Sequence, residues 1–170
     1  MSLSHAAAAA LGPPIDTRAV SGRRKLHFDS LDDMVVDAEK LVASAQTKML
    51  GNWPLSQLLT HLAIAINGSI DGISARAPWF IRMLAPLIKR RLLKNGMSAG
   101  FRLPKKVEPA FFPTADSPQQ ALDQLRAAVR RTHTERMTAR HPVLGKLTHD
   151  EWTRLHLRHG ELHLSFALPG

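Results

Sequence analysis

The chain contains no cysteine. That excludes disulfides, a thiolate nucleophile and every metal site that uses the chain's own sulfur. Any metal must therefore sit on imidazole or carboxylate, and any thiol chemistry must use a thiol carried by the substrate. No apolar run approaches the length of a transmembrane helix. Aromatic residues make up only 5% of the sequence and are not interleaved with basic ones in the arrays that stack bases, so no nucleic-acid partner is expected. No segment alternates strongly enough to be a strand, and no internal repeat stands out. Neither a Ser-His-Asp set nor a carboxylate pair offers a self-contained catalytic device.

What is present is a chain of 170 residues, 44% hydrophobic, enough for one ordinary domain with a substantial core. The formal charge is +9, and the excess is local. From Arg76 through Lys106 stand nine cations and no acid, which accounts for the whole imbalance. Within that stretch Trp79, Phe80, Met83, Leu84, Leu87 and Ile88 lie opposite Arg82, Lys89, Arg90 and Lys94 in an amphipathic pattern. The expectation is a solvated face packed on the domain, or a dimer contact. Binding of the segment 76–106 to an anion or a membrane surface is the alternative.

Met1 to about Lys25 holds an alanine run, Gly12-Pro13-Pro14 and the cluster Arg23-Arg24-Lys25. It lacks the basic start of a secretory signal, and its apolar part is short. Residues 1–25 are expected to be a flexible arm on a cytoplasmic protein, with a trimmed leader of an exported protein as the alternative. Residues 26–170 are expected to form the domain.

Helix signals follow in order. Ser30-Leu31-Asp32-Asp33 resembles a capping sequence, and apolar residues from Leu31 to Ala45 recur at helical spacing. Gly51-Asn52-Trp53-Pro54 breaks the chain, and a second helix runs from there to about Asp71-Gly72. Pro78 starts a short basic helix, kinked at Pro86 and stopped by Asn95-Gly96. Ser98 to Thr114 reads as an irregular crossover. Ser117-Pro118 opens a helix to about Arg136, and His141 to Leu147 reads as a loop. Thr148-His149-Asp150-Glu151 is a capping box for a last helix ending near Leu168. Four long helices plus a short basic one make an all-α bundle.

The last helix carries His156, His159 and His163, spaced i, i+3 and i+7 along one stripe. In a chain with nine histidines a pair four apart is weak evidence of a site; a triple is stronger. Imidazoles one turn apart can reach one ion, and a third ligand must then come from a facing helix. His61, among Leu58, Leu62 and Ile66 on the second helix, is placed to supply it. The ordinary alternatives are that His156 caps a carbonyl, that His61 is a satisfied core residue and that the stripe is a polar seam.

Trp53-Pro54-Leu55-Ser56-Gln57-Leu58-Leu59-Thr60-His61-Leu62-Ala63 resembles the second-helix motif of the DinB/YfiT-like superfamily of four-helix bundles. In that motif a tryptophan is followed eight residues later by a metal-binding histidine and then by Leu-Ala. Arg158-His159-Gly160-Glu161-Leu162-His163 resembles the superfamily's final-helix His-xxx-His. The segments Leu26 to Asp33, Gly51-Asn52-Trp53 and Leu155 to Phe166 are similar to a bacterial branch of it that is a domain of unknown function. The resemblance runs from Leu26 to the C-terminus. It implies an up-up-down-down bundle with a long crossover, a metal held by His61, His159 and His163, and a homodimer as a common state. Two positions depart from the pattern: Ile64 stands where many members have aspartate, and Phe166 where they often have glutamine. Both changes remove polar groups near the metal and leave the ligands untouched.

Three neutral imidazoles leave a fourth position open to water or substrate, the arrangement of a catalytic rather than a structural zinc site. The donor set suits zinc, nickel, iron or manganese. His156, one turn before His159, is the candidate catalytic proton acceptor, extra ligand or supporting partner. Glu161 falls on roughly the opposite helix face, Asn67 off the His61 stripe, and Asp71 too far along to share the ion. Relatives by resemblance include thiol-dependent transferases and isomerases. The expected function is a metal-dependent enzyme that activates a thiol or water for a small-molecule substrate. The alternative is a bundle whose metal or histidines serve stability alone.

Overall fold

Three helices begin where a hydroxyl satisfies an amide that has no partner within the helix. Ser30, Ser117 and Thr148 each stand in extended backbone and accept from the N–H three residues on, at 3.0, 3.2 and 3.2 Å. At Ser30 and Thr148 the third residue, Asp33 or Glu151, reaches back to the cap's own N–H and closes the box. In the computed structural model, which describes residues 15–74, 78–100 and 117–170, the elements run as follows. They are α1 (Leu31–Ala43), β1 (Lys48–Met49), α2 (Leu55–Asp71), α3 (Trp79–Met83), α4 (Ala85–Asn95), α5 (Pro118–Thr134), β2 (Arg140–His141), β3 (Gly145–Lys146), α6 (His149–Leu164) and β4 (Ala167–Leu168).

The chain is mostly helical. Helix α2 packs along α5, α1 lies against α5 and α6, and α6 also meets α2. Their apolar stripes, including Met34, Leu41, Leu59, Ile66 and Leu125, close one core with essentially no exposure. Burying each such side chain stabilises the fold by roughly 1.5–3 kcal/mol. Gly160 on α6 allows the α1 contact to be close, because a side chain there would run into Met34. A second cluster gathers Trp152 and Leu155 of α6, Met137, Leu144 and Leu147, with Ile88 and Leu92 of α4 packed onto it. Lys89 reinforces that contact through an ion pair to Glu151 at 2.6 Å.

Two small sheets accompany the helices. Lys48–Met49 pair antiparallel with Ala167–Leu168, and Leu50 N–H donates to the Phe166 carbonyl at 2.8 Å. This ladder ends α6 at Leu164 instead of near Leu168, since the last residues are drawn into extended pairing. The stretch read as a loop over His141 to Leu147 contains a hairpin, Arg140–His141 paired with Gly145–Lys146. The basic helix is two pieces. Pro86 has no N–H to give the Arg82 carbonyl, and the helix breaks at Leu84. No helix among the described residues is long and apolar enough to cross a membrane.

The residues before α1 are tied to α6. Arg24 grips Asp37 with two bonds of 2.7 Å and also donates to the Leu164 carbonyl at 3.1 Å. Arg23 lies 4.1 Å over the Phe166 ring and donates to Ser165 Oγ. The alanine run and Gly12-Pro13-Pro14 of the N-terminal segment lie outside the described residues, as do most of the crossover and Arg76, Arg102, Lys105 and Lys106 of the basic stretch.

Candidate metal centre

Pro54, in extended backbone at φ −64°, starts α2 and sets Trp53 just outside its first turn. His61 follows two turns in, on the face that Leu58 and Leu62 bury, and is itself only 5% exposed. His159 and His163 stand one turn apart on α6, half-buried, on the side that meets α2. The contact between the two helices brings residues nearly a hundred positions apart into one cluster.

His61 Nε2 and His159 Nε2 are 3.1 Å apart. The His61 ring centroid is 4.9 Å from those of both His159 and His163, and the latter two are 4.5 Å apart. One nitrogen from each ring can be chosen so that all three lie within 4.8 Å of one another. Nitrogens sharing a tetrahedral ion at bonds of about 2.0–2.1 Å stand about 3.3–3.4 Å apart, so the spacing fits after small ring rotations. The rings meet edge-to-face, at 62° to 78°. Trp53 walls one side: its indole stacks on His163 at 5.1 Å and 7°, and meets the His61 ring at 5.0 Å and 60°.

Two of these rings, His159 and His163, are held neutral. Burial pushes His159 well below the usual imidazole range, reinforced by His163, His61, His156 and His141. Burial, then His61 and Arg23, pushes His163 down to about 3. A neutral imidazole offers a lone pair, and only in that form does it ligate. With no cation present, the short His61–His159 contact needs one ring to donate a proton to the other. A cation shared among the rings removes that requirement and attracts all three lone pairs. The donor set therefore fits a divalent metal.

His156 does not join the three. Its ring stacks on Trp152 at 5.3 Å and 16°, it is 3% exposed, and its Nε2 is buried with no hydrogen-bond partner. Burial, then His141, holds its pKa down at about 3. His141 flanks Trp152 on another side at 5.4 Å, and burial lowers its pKa to about 4. Its Nδ1 accepts the Val143 and Leu144 amides, which fixes the proton on Nε2. A cavity of about 170 Å³ opens nearby, lined by Ile73, Arg82, Arg140 and His141 and by none of the three clustered histidines.

Several other polar groups on these helices are committed elsewhere, whereas the buried Thr60 hydroxyl beside His61 has no hydrogen-bond partner among the described residues. Glu161 accepts from Arg158 and from the Phe28 amide at 3.0 Å. Asn67 and Asp71 both bind Arg131 of α5, at 2.6 to 2.8 Å, and clamp α2 to α5. His149 accepts the Met137 amide, while His27 and His133 face carboxylates. The wall formed by Trp53 escapes a reading of spacings, which places the tryptophan in a motif but does not show what its ring touches.

Compared with known families, residues 20–170 match a family model described as "Protein of unknown function (DUF1569)". No curated protein and no solved structure matches the chain.

Proposed function

We propose, on the premise that the chain belongs to the DUF1569 family, that it is a divalent-metal protein whose ion is held by His61, His159 and His163. The single observation carrying this is the convergence of three imidazoles from two helices on one spot. We extend the reading to the DinB/YfiT-like architecture, an up-up-down-down bundle with a long crossover. Its support is the mutual packing of α1, α2, α5 and α6 and the sequence motifs around Trp53 and His159.

The proposed activity is metal-dependent, a thiol transfer or a hydrolysis. A bound ion supplies Lewis-acid chemistry, lowering the pKa of water or of a thiol brought by the substrate. The chain's own residues do the rest. A tetrahedral ion held by His61, His159 and His163 would have one position left for water or substrate, and no described carboxylate joins the three. Trp53 stacks on His163 and meets His61 edge-on, holding the rings in place and excluding water from that side. His156, buried one turn from His159 with its ring on Trp152, is proposed as a supporting partner of the cluster rather than as a base, since burial holds its pKa at about 3. Its unpartnered Nε2 is the observation behind a polar role there. Zinc, nickel, iron and manganese all suit three nitrogen donors.

Elemental analysis tests the reading directly. Protein reconstituted with zinc and desalted is expected to hold stoichiometric metal, and His159→Ala and His163→Ala to hold little, with circular dichroism showing that both stay helical. A wild-type chain that retains no zinc, or a His159→Ala chain loaded like the wild type, overturns it.

A further inference from the structure

Large apolar side chains on the surface are not scattered evenly. Trp79, Phe80, Met83, Leu84 and Leu87 are each between 55% and 72% exposed, and among the described residues only Ile15 and Val36 join them in that class. The five fall within nine consecutive positions spanning α3, the break at Leu84 and the start of α4. A soluble surface rarely gathers so much uncovered apolar area without a use for it. Trp79 and Phe80 touch ring to ring at 6.2 Å, one continuous aromatic edge.

The inner side of α4 is already satisfied, with Ile88 and Leu92 packed on the second cluster and Lys89 paired to Glu151. The outer side carries Leu87 and, three, four and seven residues on, Arg90, Arg91 and Lys94, which at helical spacing continue the same face. Those three and Arg82 are exposed and form no ion pair with a described residue. No acid occurs anywhere from residue 76 to 106. Exposed apolar side chains followed along the same segment by exposed cations, with no acid between them, is the pattern of an interfacial helix on an anionic bilayer. A second copy of this chain would set like charges against one another at a two-fold contact.

We propose that the α3–α4 elbow docks on a negatively charged lipid surface, with Trp79, Phe80, Met83, Leu84 and Leu87 entering the headgroup–acyl boundary and Arg82, Arg90, Arg91 and Lys94 pairing with lipid phosphates and carboxylates. Attachment through this elbow alone is reversible, since one short interfacial element gives only marginal membrane binding. The histidine cluster takes no part in the contact.

Flotation of the full chain with vesicles tests this. Binding is expected to vesicles of phosphatidylcholine carrying roughly one-third phosphatidylserine, not to phosphatidylcholine alone, and to disappear at high salt. Each cation near the surface is worth about fivefold in partitioning, so Arg90→Gln, Arg91→Gln and Lys94→Gln together are expected to weaken it about a hundredfold. Leu87→Ser is expected to weaken it with all charges intact. Trp79→Phe is expected to keep binding but lose the blue shift of tryptophan emission that vesicles produce. No flotation with the anionic vesicles, or equal flotation with the neutral ones, overturns the proposal. So does a stable dimer that Leu87→Ser converts to a monomer, which assigns the face to a second copy.

Discussion

Gly160 faces Met34 across the α1–α6 contact, and a Cβ built there collides with the Met34 sulfur and stands 3.1 Å from its Cγ. Met34 has no exposure, so the thioether cannot swing out to make room. Gly160→Ala is expected to cost about 1–3 kcal/mol despite the better helix propensity of alanine. Shortening the neighbour as well, in Met34→Val/Gly160→Ala, is expected to return part of that loss; thermal melts of the two variants decide it. His156 offers a second test at this scale. An unfolded histidine titrates near 6.5, whereas folded His156 is held at about 3 and His141 at about 4. Between those values the unfolded chain takes up protons that the folded one refuses. Stability is therefore full above about pH 6.5 and falls as pH drops toward about 4. His156→Phe, which keeps a ring against Trp152 and removes the orphaned nitrogen, is expected to flatten the slope of melting temperature against pH. An unchanged slope would show that His156 is not the group responsible.

Among the elements, the legible features were those with a local cause. The caps at Ser30, Ser117 and Thr148 and the breaks at Pro54 and Asn95-Gly96 are set by side chains beside the helix ends, and the structure has them where the spacing put them. The two ladders were not legible, because a two-residue strand has no period to read and its partner can lie over a hundred positions away, as Lys48 and Leu168 do. For the same reason the end of α6 was read four residues too far. Pairing by charge was equally hidden: nothing near Arg24 in the sequence announces that it grips Asp37 and the Leu164 carbonyl. The Arg24–Asp37 pair is only 20% and 16% exposed at its side chains, so removing the acid leaves a mostly buried guanidinium without that partner. Asp37→Ala is expected to lower unfolding free energy by about 1–3 kcal/mol, measured by urea titration, while Asp123→Ala, at an exposed pair, changes little.

For the whole molecule, the histidine cluster spans the contact between α2 and α6, so an ion there ties together parts of the chain that separate on unfolding. Zinc at about a hundred times its dissociation constant is expected to add about 2.7 kcal/mol, several degrees in melting temperature, with reversal by a chelator. His61→Ala should show no such gain, and a wild-type midpoint indifferent to zinc would count against the site. Half of this site was readable from one helix, since His159 and His163 lie a turn apart on a stripe. The other half was less so: the need for a ligand from a facing helix pointed to His61, but a histidine among leucines also reads as a core residue, and the resemblance of its motif favoured the ligand. His156 shares the stripe but turns its ring to Trp152, a choice made by packing and invisible to spacing. The indole of Trp53, flat against one cluster histidine and edged by another, turns the protein into its own gauge. Paramagnetic nickel or copper entering between the rings would drain the excited indole, so occupancy becomes readable as dimming, in solution and without a dye. Swapping that indole for phenylalanine would blind the gauge while leaving the cage standing.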